Sequence, residues 1–477
     1  MAVEPPWNCH GSKESFLNIL LINAVDPFVE VETRYPNLGL AYLVSALRNH
    51  FGASKINCKI IDRDFDLAIS SFKPDVVCLT SVTQNYCIAA RIAEQAAKQG
   101  IPVITGGVHI SSHPQSLTKD MLAGCLGEGE RIIVDIISIL FSKGSLTASE
   151  LSLVKGIAFW DGVSLVINPP QEQIRNCDEI ALPARDLLSI GKHSYMFTSR
   201  GCPYRCIFCS STVFWKKARF FSADFVVREI SELVNSYGVK LISFFDDLFI
   251  ADFERLKKIV DLLEKGDILK KVAFTCSGRA NLINDEIAGL LKRMNMRSVG
   301  MGLESGCEKT LEYLKGGNVS VEDNGRAVGI LRKHGIAANA SFVIGSPQES
   351  VQDMMETYTF IRKYPLSLFD TYVLVPYPGT ALWNYAKAKG LVSDTMNWRK
   401  LDVNFYRNKE QAIILSEVVD RQTIVTIYKK FQRLRLFINA KNVWFTPQAG
   451  DLLGFLLKTI LEKTLRILKR FSVKKYF

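Results

Sequence analysis

Short, continuous apolar runs alternate with amphipathic segments along most of this chain, and that alternation restricts the possible folds more than any other feature. The first four runs, at 18–25, 57–62, 75–82 and 101–107, read NILLINAV, NCKIID, DVVCLTSV and IPVITGG. Unbroken hydrophobicity is typical of strands that are buried on both faces of a parallel sheet. After a tail at 1–15, residues 16–145 are therefore predicted to form a doubly wound, Rossmann-like α/β domain.

A second alternation begins at residue 190, after a predicted connector at 146–189. Six strands are expected within YMFTSR, LISFFDD, KVAFTCSGR, SVGMGLES, AANASFVIG and FDTYVLVP, with amphipathic helices between them. Six such units over 190–395 predict a curved parallel sheet or partial (β/α)6 barrel, because eight units would need more chain. Residues 396–477 are expected to form a helical, basic extension, of which 396–440 closes the open side of the barrel.

The positive charge of the chain is concentrated near its carboxyl end. Residues 421–477 contain 13 Lys and Arg and 2 Asp and Glu, a balance equal to the formal net charge of +11 for all 477 residues. The body is close to neutral, which disfavours a nucleic-acid-binding protein with basic and aromatic residues interleaved on its surface. No uncharged apolar run reaches the roughly 20 residues that span a bilayer, and no secretory leader is evident, so we expect a cytoplasmic protein.

The basic extension ends in an amphipathic pattern at 451–470, DLLGFLLKTILEKTLRILKR. Leucines and isoleucines fall on one half of the expected helix, and most of the charged residues fall on the other. Such a helix either packs on the protein or lies on an anionic membrane surface. The second interpretation implies peripheral membrane contact and suits a lipid or isoprenoid-like substrate.

Three of the 11 cysteines, Cys202, Cys206 and Cys209, lie together in the sequence GCPYRCIFC. Clustered thiols in a reducing compartment are more often metal ligands or catalytic groups than disulfide partners. Three thiolates can hold three irons of a 4Fe–4S cluster and leave the fourth iron open to a substrate. Zinc is the main rival, with a fourth ligand from distant Cys276 or Cys307, and three unliganded thiols are the remaining alternative.

This loop resembles the CxxxCxxC loop of radical S-adenosylmethionine (SAM) enzymes, and FFDDLF, SGR, GLESG and FVIGSPQES follow in the order of that family. The resemblance covers about residues 190–395 and implies that the three cysteines bind a 4Fe–4S cluster. It also implies that Asp246 or Asp247 contacts the methionyl amine of SAM, that Arg279 contacts its carboxylate, and that Glu304 contacts its ribose. The residues implied to contact the adenine are Phe208, Ile344, Gly345 and Glu349. Taken singly, Asp246 and Asp247 are typical of a helix cap, and Gly345 is typical of a turn. Glu304 alone is typical of a solvated strand end, and Arg279 of the protein surface.

The first domain resembles the cobalamin-binding domain that precedes the barrel in one subfamily of radical SAM enzymes. The resemblance rests on YPNLGLAYLVSALRNHFG, IID, GGVHISSHP and GEGE. The cobalamin motif DxHxxG is absent, since the loop after the first strand reads DPFVEV, so cobalamin is expected to bind base-off; His109 and His113 are expected to be loop residues and not axial ligands. The residues expected to line the corrin ring and its nucleotide tail are Thr80, Ser81, Gln84, Gly106, Gly107 and Gly127. A degenerate domain that binds no cofactor is the alternative.

Together the two resemblances imply a cobalamin-dependent C-methyltransferase. Such an enzyme cleaves SAM to a 5′-deoxyadenosyl radical, which takes hydrogen from an unactivated carbon of a natural product or lipid-like small molecule, and methylcobalamin then supplies the methyl group. An external one-electron reductant such as flavodoxin or ferredoxin is implied, whereas no single catalytic residue is assigned. The alternatives are a radical cyclase, rearrangement or C–C coupling enzyme in which cobalamin is absent or not a methyl donor, and a non-enzymatic Fe–S electron carrier or zinc-binding protein. A carrier would not need Asp246, Arg279, Glu304 and Glu349 around its cluster.

Overall fold

The fold is described from a computed structural model, in which residues 16–26 and 36–443 are described. The predicted tail at 1–15, most of the DPFVEV loop and the amphipathic pattern at 451–470 lie outside those residues. Within them the chain forms two large sheets, each covered by helices.

The first sheet has seven strands in the order β2-β1-β3-β4-β5-β6-β7. The strands are β1 Leu17–Asn23, β2 Ile56–Ile61, β3 Val76–Thr80, β4 Val103–Gly106, β5 Ala123–Cys125, β6 Ile157–Asp161 and β7 Ser164–Ile167. Strands β1 to β5 are parallel, whereas β6 and β7 are antiparallel and extend the edge next to β5. The segment treated above as a connector therefore contributes two strands to this sheet.

Helices cover both faces of the first sheet. They are α1 Leu38–Phe51, α2 Phe65–Phe72, α3 Tyr86–Ala97, α4 Val108–Ser112, α5 Gly129–Lys143 and α6 Ala148–Leu151. Successive side chains of a strand point to opposite faces, so Ile19 and Leu21 join the cluster under α1 and α5, and Leu20 and Ile22 join the cluster under α2 and α3. Strands β1, β3 and β4 are thus buried on both sides, as predicted. The prediction is wrong for β2, an edge strand that exposes Asn57 and Lys59 on one face.

The second sheet has six parallel strands in the order β8-β11-β12-β13-β14-β15. They are β8 His193–Met196, β11 Leu241–Phe244, β12 Ala273–Gly278, β13 Met296–Glu304, β14 Ala337–Ile344 and β15 Leu368–Val373. The helices of this region are α7 Ser211–Phe214, α8 Ala223–Asn235, α9 Phe253–Lys265, α10 Asp285–Arg293, α11 Glu308–Lys315, α12 Val321–Lys333, α13 Val351–Lys363 and α14 Ala381–Ala388. Six parallel strands with helices between them form the predicted partial barrel.

The first barrel strand ends earlier than the sequence predicts. The run YMFTSR forms β8 and then a separate strand, β9 Ser199–Arg200, which pairs in antiparallel fashion with β10 Arg219–Phe220. The break falls at Thr198, whose backbone N donates to Asp246 Oδ1 at 2.6 Å instead of continuing the ladder. The cysteine loop is the connection between β9 and β10, so a short hairpin holds it at the mouth of the barrel.

The carboxyl-terminal part of the described chain contains α15 Phe405–Asn408 and α16 Arg421–Val443. Helix α16 covers the edge strand β15, and Asn442 Nδ2 donates at 2.8 Å to Leu366 O and Ser367 O, just before that strand begins. Arg435 Nε lies 3.0 Å from Asp370 Oδ1 on the same edge. An uncovered edge strand would leave its polar backbone groups unpaired. Among the described helices, including this one, none is both long and apolar enough to cross a bilayer.

The two sheets are joined by buried polar contacts. Tyr195 OH at the end of β8 donates to Pro36 O at 2.5 Å and accepts from Leu38 N at 3.0 Å, at the start of α1. Farther along the boundary, at the surface, Arg48 forms an exposed ion pair of 2.9 Å with Asp186. These contacts bring the carboxyl ends of strands from both sheets to one cavity.

Candidate active site

A cavity of about 380 Å³ lies between the two sheets and is lined by both of them. From the first domain, Thr80, Gly106, Gly107 and Gly127 line it at or just beyond the ends of β3, β4 and β5. From the barrel region and α1 come six aromatic side chains, those of Tyr42, Tyr195, Phe197, Phe214, Trp215 and Phe245. In parallel sheets ligands bind beyond the carboxyl strand ends, and here two such rims share one space.

Gly107 brings the loops after β3 and β4 into close contact at the rim of the first domain. Gly107 has a φ of +94°, and a Cβ there would lie 2.5 Å from Thr80 Oγ1 and 2.9 Å from Ser81 O. Glycine is therefore required at 107 for these two loops to meet. Gly106, Gly107 and Gly127 all line the cavity, and a rim without side chains at these positions fits the flat ring system of cobalamin.

The remaining residues predicted for cobalamin lie elsewhere. Ser81 is buried behind Gly107, and its Oγ has no hydrogen-bond partner among the described residues. Gln84 lines a separate polar cavity, about 500 Å³ in volume, together with Asn397 and Arg399. Four of the six predicted residues are thus brought together on the rim.

His109 and His113 are taken up by contacts within the protein. The buried ring of His109 lies 3.0 Å through Nε2 from Ser116 Oγ and 3.3 Å through Nδ1 from Thr83 Oγ1. Burial lowers the pKa of His109 to about 3, so the ring is neutral. His113 Nε2 lies 3.3 Å from Asp394 O. Neither histidine lines the cavity between the sheets.

The three cysteines of the β9–β10 loop are half-buried and form no disulfide. Within the described residues, three possible ligand atoms that all lie within 4.8 Å of one another belong to Cys307, Asp353 and Glu356, so the three loop sulfurs do not all lie within that distance of one another. Sulfurs on one tetrahedral zinc lie about 3.8 Å apart, so the loop as it stands does not form a closed zinc site. Burial raises the pKa of Cys209 to about 11, so a metal must displace its proton.

Arg279 lies immediately after β12 and reaches the cysteine loop. Its Nη1 donates to Cys206 Sγ at 3.4 Å, and its guanidinium carbon lies 3.9 Å from the centre of the Tyr204 ring. The side chain is buried, and Nε and Nη2 have no hydrogen-bond partner among the described residues. Buried, unpartnered guanidinium donors next to a thiol cluster are suited to bind a carboxylate, such as that of SAM.

Glu304 ends β13 and forms a buried pair with Lys315 of α11. Glu304 has a left-handed φ of +61°, and its Oε1 lies 3.8 Å from Lys315 Nζ, which also donates to Gly302 O. A Cβ at Gly302 would lie 2.1 Å from Glu304 Oε1, so glycine leaves room for the carboxylate. Burial raises the pKa of Glu304 and lowers that of Lys315, and the partner's charge opposes each shift.

Lys315 is a site residue that sequence reasoning missed, because a lysine in the last turn of a helix is ordinary. The sequence signal that could have identified Lys315 as a buried residue is its position on the helix. It follows Leu311 by four residues and therefore shares the buried face of α11. The charge of its ammonium group interacts electrostatically with Arg279, Cys202 and Cys206, as well as with Glu304.

The two aspartates of FFDDLF have different positions. Asp246 is buried and accepts from Thr198 N and Thr198 Oγ1, so it holds the break after β8. Asp247 lines the cavity and accepts from Ser211 Oγ at 2.6 Å, two residues beyond the last cysteine of the loop. Of the two, Asp247 is the one placed to contact a ligand amine.

The adenine motif forms a tight turn after β14. Glu349 Oε2 accepts from Gly345 N at 2.7 Å and from Ser346 N at 3.0 Å, and Gly345 has a φ of +84°. Burial raises the pKa of Glu349 to about 7. Ile344 is fully buried, and Phe208 packs half-buried against the apolar cluster that extends from the first sheet to α14.

A buried ion network joins the cavity wall to the cysteine hairpin, and sequence reasoning did not identify it. Arg200 of β9 lies 2.5 Å from Glu128 Oε1 and also binds Glu130, while Arg219 of β10 lies 2.8 Å from Glu128 Oε2. Glu128 and Glu130 belong to the GEGE segment of the first domain. The hairpin that carries the cysteines is thus fixed to the rim that carries Gly127.

Comparisons with known proteins agree with both halves of this site. The model of the Radical SAM superfamily matches residues 196–361, and that of the B12 binding domain matches residues 26–137. The uncharacterized methyltransferase PH0819 of Pyrococcus horikoshii is 33% identical over 386 residues, which cover 78% of this chain and 82% of that protein. An anaerobic magnesium-protoporphyrin IX monomethyl ester cyclase of Rubrivivax gelatinosus is 26% identical and covers 86% of this chain and 76% of its own length.

The fold is also that of a solved structure. The radical SAM methyltransferase TsrM of Kitasatospora setae, with cobalamin and a [4Fe–4S] cluster bound, superposes with a TM-score of 0.64. The match covers 79% of this chain and 76% of TsrM at 18% identity. Both large sheets therefore occur together in one known architecture.

Proposed function

Since the chain belongs to the family of cobalamin-dependent radical SAM methyltransferases, we propose that it transfers a methyl group to an unactivated carbon of a small molecule. The cofactors of this enzyme are a 4Fe–4S cluster, SAM and cobalamin. The observation that carries the proposal is the shared cavity, in which Gly107 of the first domain and Asp247 beside the cysteine loop line the same space.

The residues of the chain have distinct tasks in this proposal. When bound, the cluster supplies the electron that cleaves SAM to a hydrogen-abstracting radical, and cobalamin carries the methyl group. Cys202, Cys206 and Cys209 hold the cluster. Arg279 binds the carboxylate of SAM with its unpartnered donors, and Asp247 accepts from the amine.

The other contacts fix the nucleoside and keep out water. Glu304 accepts from the ribose hydroxyls, and Glu349 shapes the turn beneath the adenine with Gly345. The aromatic wall of the cavity, which includes Phe214 and Trp215, excludes water from the reacting atoms. Exclusion of water and fixed geometry protect a radical from side reactions.

The substrate is proposed to be a natural product or lipid-like molecule with a substantial apolar part. Six aromatic side chains line the cavity, and aromatic walls favour apolar or planar ligands. Peripheral membrane contact through 451–470 is part of this proposal. It is supported by the exposed Leu436 and Phe437, which lie among cationic residues on α16. If the contact exists, liposomes with anionic lipid will sediment the full chain but not a chain lacking residues 451–477.

The central test is a product analysis under anaerobic conditions with the reconstituted enzyme. Iron, sulfide and cobalamin should co-purify, and turnover should form S-adenosylhomocysteine and 5′-deoxyadenosine in equal amounts, with two SAM consumed per product. SAM with a deuterated methyl group should transfer its label to the product. Deoxyadenosine formed with a cyclised or rearranged product and no label transfer would contradict methylation.

A matched cysteine pair serves as the control for this test. Cys206→Ala should lose both bound iron and deoxyadenosine formation, because three ligands are needed to hold the cluster. Cys87→Ala, which alters a half-buried cysteine of α3, should retain both.

A further inference from the structure

We propose that Arg205, Lys216 and Lys217, here called the cationic patch, form the docking surface for an acidic one-electron donor protein. This inference rests on the proposed function, because it concerns the partner that reduces the cluster. Transfer moves one electron: the donor is oxidised by one electron, the cluster is reduced by one, and no proton or group moves.

The three residues of the patch lie close together because the two arms of the cysteine loop are in contact through its backbone. Arg205 lies between Cys202 and Cys206, and its Nη2 donates to Lys216 O at 3.1 Å. A Cβ at Gly201, where φ is +87°, would lie 2.9 Å from Lys217 O, so the two arms of the loop are in close contact at that point. The side chains of Arg205, Lys216 and Lys217 are exposed, and they share the surface beside the cluster ligands.

The charge of the patch is not neutralised locally. Residues 187–223 contain no Asp or Glu. The other arginines of the hairpin, Arg200 and Arg219, are paired with Glu128 and Glu130, whereas the three patch cations form no ion pair with any described acidic residue. Exposed charges of one sign steer a partner of opposite charge and fix its orientation.

The position of the patch suits electron transfer from outside. The inner side of the loop faces the cavity between the sheets through Phe214 and Trp215. Arg205 is covalently adjacent to Cys206, so a protein docked on the patch has only the loop between its redox group and the cluster. The donor therefore approaches without entering the cavity.

The test compares the reconstituted wild type with the variant Arg205→Glu/Lys216→Glu/Lys217→Glu. The probe is an acidic flavodoxin or ferredoxin, and the measurements are its dissociation constant and the rate at which it bleaches the cluster absorbance. Charge reversal should weaken binding by at least about tenfold and abolish most of its salt dependence. Reduced methyl viologen, a small reductant that needs no docking, should support deoxyadenosine formation in both proteins at similar rates.

A matched control reverses three exposed cations at the opposite end of the barrel strands. Lys270→Glu/Lys271→Glu/Arg297→Glu changes the net charge equally, near the amino ends of β12 and β13, and should leave donor binding within about twofold of wild type. Equal donor binding by wild type and patch variant, or an equal loss in the control, would overturn the assignment. So would a patch variant that loses binding to anionic vesicles while its donor binding is unchanged.

The two proposals can fail separately. A wild type that forms no deoxyadenosine with methyl viologen contradicts the proposed function, and donor binding still decides the role of the patch. A wild type that is active with methyl viologen, but whose donor affinity does not depend on the three cations, contradicts the patch alone.

Discussion

Lys315 Nζ lies 3.8 Å from Glu304 Oε1 in a buried position close to the cysteine loop. The lysine keeps a negative carboxylate available at a place where burial alone favours the neutral acid. In the proposed function, the pair prepares Glu304 to accept hydrogen bonds from two hydroxyl groups of a ribose.

Replacing Lys315 by methionine should weaken SAM binding. Without the lysine, Glu304 takes up a proton and loses charge-assisted hydrogen bonds, which are worth about 1.5–3 kcal/mol, so the dissociation constant should rise by about tenfold to a hundredfold. Equilibrium binding of SAM to the reconstituted protein measures this. Bound iron should stay unchanged, and Lys309→Met, on the exposed side of the same helix, should bind SAM normally. A normal SAM affinity in Lys315→Met would show that the pair is only structural.

Replacing Arg200 by methionine should destabilise the protein strongly. The change leaves two buried carboxylates without one of their partners, and breaking a buried ion pair in this way costs about 3–5 kcal/mol. Denaturant titration of the free energy of unfolding measures the loss. Arg293→Met removes an exposed pair with Asp261 and Glu264 and should cost no more than about 1 kcal/mol. Similar losses in both variants would contradict a role for the buried network.

Stability should depend on pH through Glu349. Its folded-state pKa of about 7 lies above the ordinary 4.5, so the folded protein binds this proton more tightly than the unfolded chain. The stabilising contribution is complete below pH 4.5 and is lost as the pH rises through about 7. Relative to Glu349→Gln, the wild type should lose about 3 kcal/mol of unfolding free energy between pH 4.5 and pH 8 in the absence of SAM. A difference that stays constant over this pH range would contradict the raised pKa.

Gly107→Ala should reduce cobalamin binding. The new methyl group would overlap Thr80 Oγ1 and Ser81 O, and it would also strain a left-handed backbone. Cobalamin content after reconstitution, read from its visible absorbance, measures the effect. The control is Gly100→Ala, where φ is +73° but no atom lies within 4 Å of the added Cβ. Equal cobalamin content in the two variants would contradict a role for Gly107 and its contact with the loop after β3 in cobalamin binding.

Much of the architecture was predictable from the sequence, because continuous apolar runs report burial on both faces of a strand. All six barrel strands overlap the predicted segments, although β8, β13 and β15 begin one or two residues before them. The end of β8 was not predictable, since the break depends on the contact between Thr198 and Asp246, residues 48 positions apart. The alternation of strands and helices along the sequence also cannot show that β6 and β7 join the first sheet in antiparallel fashion, because that pairing is set by tertiary packing.

The candidate site was predictable where a residue lies in a recognisable motif. Arg279 and Glu304 lie at the carboxyl ends of β12 and β13, and Arg279 contacts Cys206 of the loop, whereas the roles of all three in binding the cluster and SAM stay predictions. Lys315 was missed because two facts are needed to place its side chain near Glu304. One is its position on the helix, which the sequence gives, and the other is the direction in which that helix crosses the sheet, which the sequence does not give. Arg200 was missed because its partners come from the other domain, and a single sequence does not show which residues of two domains come into contact.

Helix α16 has a consequence for how the open flank of the barrel meets other chains. A parallel sheet that stops after six strands leaves the outer backbone groups of its last strand without a neighbouring strand. Amide side chains of α16 bind these groups from outside the sheet: Gln432 Nε2 donates to Thr371 O at 3.4 Å, and Asn439 Oδ1 accepts from Phe369 N at 3.4 Å. The edge is therefore closed to strand pairing with a second copy, which protects the protein against aggregation through β15.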